Sequence, residues 1–496
     1  MLAISVSLLA CRVSQAQEQI SKISVAWDTV ERVSQTTATL QVAVNPYLRP
    51  GNPIGTEAYK ALRELKADYV RYIPWCPYPK LVVAELEPPA NGKTSWDFSL
   101  IDPVTIDFLN ATKGHPVVMN FSTTPMWMWK TDKPVSYPAD PNKAAYRWCG
   151  YADGTEPRDP SFKEIADYYA RLLSWYTRGG FTDELGKRHD SGHHYSIPYW
   201  QVLNEVNYEH RMSPETYTKL YDEIVIAMRE VQPDLKFIGL ALSLASPNTP
   251  HFFEYFLDPK NHKPGIPLDF ISYHFYARST PEDTPEIQGY TFFAQADGFL
   301  RTARYVEAIR KRLSPQTGTM ITEIGARHTK SDFETSVVPP VPNSHWYLSG
   351  ALYAYLFGEL TRMGIEVASA SMLLPGEPRQ HAISLLDWNT GKPNPRFSVL
   401  QLLRDEFGPG DKIVALDKSV ADPFVYALPV ITKDGRRRVL FVNKSPKPRK
   451  VQLVGASGGH RMLVDQHTEY GVPAMSKIMD DVISLDGYAV AAVTLP

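Results

Sequence analysis

Between about Thr37 and Leu403, short strand-like runs alternate with helix-like segments, and this alternation constrains the fold more than any other feature of the chain. The strand-like runs are Thr39–Val44, Tyr69–Ile73, Pro116–Phe121, Tyr199–Leu203, Phe237–Leu242, Phe270–His274, Thr319–Thr322 and Val367–Leu373. Each is apolar or β-branched and is bounded by Gly, Pro or polar residues, the pattern of buried strands between turns. Helix-like segments fill the gaps. Glu57–Lys66 sets Ala58, Leu62 and Leu65 on one face, and Phe162–Thr177 follows a proline. Pro214–Val231 starts with Ser213 as N-cap, Pro214 at the first helical position and Glu215 in the first turn. Phe299–Leu313 is amphipathic, His345–Met363 stops at Gly364, and Phe397–Phe407 closes at Gly408-Pro409. Eight strands alternating with helices predict a (β/α)8 barrel over 37–409. A doubly wound sheet is the competitor, but no Gly-x-Gly-x-x-Gly or P-loop follows an early strand.

The texture changes after Gly410. Lys412–Leu416, Phe424–Leu428, Arg437–Asn443, Lys450–Val454, Arg461–Val464, Val482–Leu485 and Ala489–Leu495 are short strand-like runs without helical periodicity. Residues 410–496 therefore predict a C-terminal antiparallel β-sandwich. Within the N-terminal segment 17–36, Lys22–Ser34 shares this texture and is expected to supply strands to it. A chain of 496 residues has room for both units. Its 43% hydrophobic and 21% charged content is that of a soluble globular protein. A formal net charge of −2 gives no electrostatic footprint for nucleic acid or an anionic membrane.

The N-terminal apolar run is too short to span a bilayer. Ser14-Gln15-Ala16 suits signal cleavage before Gln17, and Leu8-Leu9-Ala10-Cys11 is also similar to a lipoprotein box that would lipidate Cys11. A buried N-terminal strand is the alternative. Export predicts a secreted or periplasmic protein in which Cys76 and Cys149 form one disulfide or remain thiols. His189-Asp190-Ser191-Gly192-His193-His194 reads as a solvated loop rather than a metal site.

Two of the strand-like runs deliver carboxyls at their C-terminal ends. Tyr199-Trp200-Gln201-Val202-Leu203 leads into Asn204-Glu205, and Thr319-Met320-Ile321-Thr322 leads into Glu323. In a barrel those ends form the active face. Two carboxyls there suit the cleavage of a glycosidic bond, in which one acid protonates the departing oxygen while a carboxylate attacks the anomeric carbon. Arg71 in Val70-Arg71-Tyr72 is the candidate cation that keeps Glu323 ionised. His274 and Tyr276, after the sixth strand, are candidates to orient a carboxyl or touch the sugar. Trp75, Trp127, Trp129 and Trp388 are candidate sugar platforms, and Trp127 is preferred because its loop leaves a barrel strand at the active face. The Lys130–Phe162 insertion, with Trp148 and Tyr151, is expected to wall the cleft and favour exo action.

An Asn-Glu pair on strand 4 with a Glu on strand 7 resembles the retaining (β/α)8 (TIM barrel) glycoside hydrolases of clan A. The barrel-plus-sandwich layout and Thr322-Glu323-Ile324-Gly325 resemble glycoside hydrolase family 39, which includes β-xylosidases and α-L-iduronidases. Where that family commonly has Pro after the Glu, this chain has Val206. The resemblance implies Glu205 as acid/base, Glu323 as nucleophile, and Asn204 bonded to the sugar 2-hydroxyl, with a carbohydrate substrate and no cofactor or metal. An endo-acting glycanase of the same clan and an inactive carbohydrate-binding barrel are the rival expectations. A uronic acid substrate would need a basic residue such as Lys130 at the sugar carboxylate.

Overall fold

The computed structural model describes residues 20–496 except 132–134, 146–155, 245–248, 281, 329–340, 377, 418–419 and 469–470. Cys11, Cys149, Trp148, Tyr151 and the expected signal segment 1–16 lie outside the described residues. Eight parallel strands close into a barrel: β1 (Thr37–Ala43), β2 (Val70–Ile73), β3 (Val117–Met119), β4 (Tyr199–Gln201), β5 (Lys236–Ser243), β6 (Phe270–Arg278), β7 (Gly318–Arg327) and β8 (Val367–Ala370). Each strand pairs with its neighbours in sequence, and β8 closes on β1. The strands are shorter or longer than the apolar runs by a few residues, because hydrogen bonding and not hydropathy ends a strand.

The helices follow the local signals. Pro214–Val231 begins with the Ser213 hydroxyl accepting from the Thr216 N–H at 3.2 Å. The expected helix Phe299–Leu313 is the second half of a longer one, Pro285–Leu313. Gly289, in the first half, is there for space. A Cβ at Gly289 would lie 2.1 Å from the Tyr488 hydroxyl of the sandwich.

Inside the barrel, Val118, Ile238, Met320 and Val367 pack as an apolar plug toward the N-terminal ends of the strands. Above the plug comes a polar layer. Gln201 accepts from Arg71 and donates to Ser272, and Arg71 also donates to Gln41. This layer is the floor on which the candidate site stands.

The second unit is a seven-stranded sheet facing a three-stranded one. Val25–Val33 pairs antiparallel with Lys412–Leu416, so the segment before the barrel forms one edge of the larger sheet. Ile20–Ile23 pairs parallel with Arg449–Leu453, a departure from the expected antiparallel pattern. Arg437–Asn443 shows why its sequence contains a continuous apolar run, residues 439–442. Val439 and Phe441 enter the core between the two sheets, while Leu440 and Val442 face the barrel core. Each fully buried Val, Leu or Phe contributes about 1.5–3 kcal/mol, so both faces tie this sheet down.

Candidate active site

The C-terminal end of β4 is bent sharply. Leu203 and Glu205 adopt left-handed backbone, φ 59° and 39°, in a region where a side chain costs energy. Surrounding bonds hold the bend. Asn120 donates to the Leu203 carbonyl at 2.7 Å, and the Glu205 N–H donates to the Ala241 carbonyl at 2.9 Å. The bend sends Glu205 across the barrel mouth and turns the chain so that Glu209 also faces inward.

A bulge does comparable work on β7. In the pairing with β6, Tyr273 faces Ile321 but His274 faces Glu323, leaving Thr322 as the extra residue. Ile321 and Ile324 enter the outer core, whereas Thr322 and Glu323 both bond inward. Two residues farther along, Tyr276 pairs with Gly325, where a Cβ would sit 2.6 Å from the phenol ring. Gly325 thus allows Tyr276 to lie over the site.

The resulting contacts join most of the residues singled out in the sequence. Arg71, 1% exposed, donates from Nη1 to Glu323 Oε1 at 2.6 Å and from Nη2 to Asn204 Oδ1 at 2.6 Å. Tyr276 donates to the other Glu323 oxygen at 2.6 Å and shares a 2.8 Å bond with Ser371. His274 Nδ1 lies 3.0 Å from Glu205 Oε1, and its Nε2 lies 3.1 Å from the Thr322 hydroxyl. Glu205, His274 and Glu323 each bring one donor atom within 4.8 Å of the other two. Such a trio could also hold a divalent cation, but Glu323 already has a proton donor on each oxygen.

Electrostatics separate the carboxyls. Burial alone would raise the Glu323 pKa; the charges of His274 and Arg71, with bonds from Tyr276 and Arg71, outweigh burial and hold it below the ordinary value. Glu209 goes the other way. Burial, then repulsion from Glu205, pushes it well above the ordinary range, against hydrogen bonds from Trp75 and Asn204. Glu209 was not read from the sequence. It lies in a turn with no periodic pattern, and nothing but the bend at Glu205 aims it.

Trp127 is the expected site residue that stands apart. Its indole N–H donates to the Glu85 carbonyl at 3.0 Å, and Arg158 lies 4.6 Å over its ring. The short helical turn Met126–Met128 points the ring at the loop around Glu85, and it does not line the cavity. Trp75 does, together with Arg327 and Gln380. Lys130 pairs with Glu156, His189 with Asp183, and His193 with Asp102. Cys76 is disulfide-bonded.

Compared by sequence, the chain matches no family profile and no curated protein. Its fold is similar to many solved structures. The family 51 α-L-arabinofuranosidase of Bifidobacterium longum superposes with a TM-score of 0.62 at 13% identity, over 96% of this chain and 99% of that one. The catalytic domain of glycoside hydrolase family 30 xylanase C from Talaromyces cellulolyticus gives 0.60 at 11% identity, over 96% and 100%. The glycoside hydrolase family 39 β-xylosidase of Caulobacter crescentus gives 0.55 at 16% identity, over 96% and 99%. At such identities these likenesses establish the architecture, a (β/α)8 barrel with a β-sheet unit.

Proposed function

We propose that this chain is a retaining glycoside hydrolase of clan A, with Glu323 as nucleophile and Glu205 as acid/base. The observation that carries the reading is the approach of the two carboxyls, whose oxygens come within 4.8 Å. Retaining enzymes hold the pair about 5–5.5 Å apart, whereas inverting enzymes need about 6.5–9.5 Å to admit water. The three solved neighbours named above are all glycosidases, which supports the same reading.

The roles follow from the surroundings. Glu323 is kept ionised by Arg71 and Tyr276 and is the group fit to attack the anomeric carbon. As the bond from that carbon to the leaving oxygen breaks, Glu205 gives its proton to the oxygen. Glu205, with a side chain 16% exposed against 8% for Glu323, stands nearer the mouth where the leaving group departs. The covalent glycosyl ester is then cleaved by water. Glu205, now a carboxylate, takes the water proton, and Glu323 leaves as the sugar is released. Asn204 contacts the 2-hydroxyl, and His274 orients Glu205. Within the clan we favour family 39, on the strand-7 run and the sandwich. We also favour exo action. The long Lys130–Phe162 insertion after β3, expected to wall the cleft, suits a chain end. Residues 1–16 and the Cys76 disulfide support an oxidising, extracytoplasmic location.

The test is a screen of aryl glycosides and polysaccharides with wild type, Glu323→Ala and Glu205→Gln. The expected pattern is hydrolysis with retained anomeric configuration, abolished in Glu323→Ala. Glu205→Gln should fail chiefly on poor leaving groups. Inverted product, or full activity in Glu323→Ala, sinks the assignment.

A further inference from the structure

The turn after β4 carries a third carboxyl that double displacement does not use. The Glu209 N–H donates to the Glu205 carbonyl at 2.7 Å, which folds its side chain back toward the cavity shared by Glu205 and Glu323. The residue is 7% exposed. Its Oε1 accepts from the Trp75 indole at 2.8 Å and from Asn204 Nδ2 at 2.9 Å. Oε2 makes no hydrogen bond with any described residue, yet it is not among the sealed, unmatched polar atoms, so it keeps accessible surface on the cavity side. A polar atom placed this way invites a ligand partner, because a sugar that closes over it must either bond it or leave it buried and unmatched.

We propose that Glu209 is a specificity-determining residue of this pocket, its Oε2 hydrogen-bonding a ring hydroxyl of the sugar that Asn204 also contacts. The inference rests on the glycosidase reading and adds a selection rule to it. The Asn204 amide cannot turn: Oδ1 accepts from Arg71, and one Nδ2 hydrogen goes to Glu209. Its second Nδ2 hydrogen remains for the substrate. Asn204 and Glu209 therefore present a donor and a carboxyl oxygen side by side, a spacing that suits two neighbouring hydroxyls of one ring. Glu205 and Glu323 are the titratable groups facing Glu209, and both oppose its ionisation. Burial and these neighbours favour the neutral acid, and an Oε2–H would donate to a hydroxyl oxygen. A sugar without that hydroxyl leaves a buried donor unmatched, which is the strong form of discrimination.

The experiment compares wild type, Glu209→Gln and Glu209→Ala on the 4-nitrophenyl glycosides of β-D-xylopyranose, α-L-arabinofuranose and β-D-glucopyranose. The best substrate is then tested with each ring hydroxyl removed in turn. Glu209→Ala is expected to lose about 10²-fold in kcat/KM and to lose the preference of wild type for one hydroxyl over its deoxy analogue. Glu209→Gln should recover at least about tenfold, since its carboxamide accepts from Trp75 and Asn204 and donates to the sugar. A merely structural role would lower the rate on every analogue equally; unchanged discrimination in Glu209→Ala overturns the proposal. Calorimetric titration with xylose, arabinose and glucose separates the two readings. If no glycoside is cleaved but one sugar binds wild type more tightly than Glu209→Ala, the specificity role stands and the hydrolase reading falls. If wild type and Glu209→Ala bind all three sugars equally, or neither binds any, the specificity role falls.

Discussion

The wall built by β2, β6 and β7 and the turn after β4 each bury a carboxyl in the same cavity, and they treat it in opposite ways. On the wall, Glu323 meets a guanidinium, a phenol and an imidazole, all supplied by strands whose register is set by the closed sheet. On the turn, Glu209 meets an indole and an amide, with Glu205 as the main neighbour opposing its ionisation. The first environment favours a carboxylate; the second favours an acid. Burial is common to both, so burial alone does not set the ionisation state. What decides is whether the fold delivers a cation to the same depth.

The largest test of this contrast is Glu323→Ala, expected to lower kcat about 10⁴-fold or more on any glycoside that wild type cleaves. Arg71→Met comes next. It removes the cation from the wall and leaves an unpaired buried carboxyl, a loss of about 3–5 kcal/mol measurable by urea unfolding. It should also move the acid limb of the pH–rate profile upward. In wild type the depressed Glu323 pKa stabilises the fold above about pH 4.3, and that contribution fades as pH falls through the folded-state value. Without Arg71 the fading starts at higher pH. An unmoved acid limb would mean that His274 suffices.

Glu209→Gln probes the turn with the opposite sign. A carboxyl raised by burial carries no penalty below about pH 4, where both folded and unfolded forms are protonated, and a growing penalty as pH rises. The variant should melt a few degrees above wild type at pH 8 and level with it at pH 4, by calorimetry. Equal melting at both values would show Glu209 ionised at no cost. The smallest effect belongs to Trp127→Ala. Because the ring lies off the cavity, kcat/KM should change by less than about threefold.

Much of the wall was legible in the sequence. Short apolar runs located β2, β6 and β7, and His274 and Tyr276 stood out by their place at the end of the sixth run. The Ser213-Pro214-Glu215 cap was legible because capping is local. Other features depend on partners far away in the chain. The bulge at Thr322 exists only in the pairing of β7 with β6. The need for Gly289 inside a helix comes from Tyr488, some two hundred residues away in the chain. Where the Trp127 ring points was not legible, because the direction of a ring after a strand depends on the turn that follows. Glu209 had no sequence signal, since the left-handed bend at Glu205 that aims it is written in backbone angles and not in residue type.

The seven-stranded sheet draws its edge strand Val25–Val33 from ahead of the barrel and its neighbour Lys412–Leu416 from behind it. During synthesis the edge strand leaves the ribosome first, and its partner follows only after the whole barrel has been made. At translation rates of about 5–20 residues per second, the wait is on the order of tens of seconds. A bare strand is a hazard over that time. Val25–Val33 meets it with Asp28, Glu31 and Arg32 on a mostly exposed edge, charges that discourage wrong pairing while the rest of the sheet is still being translated.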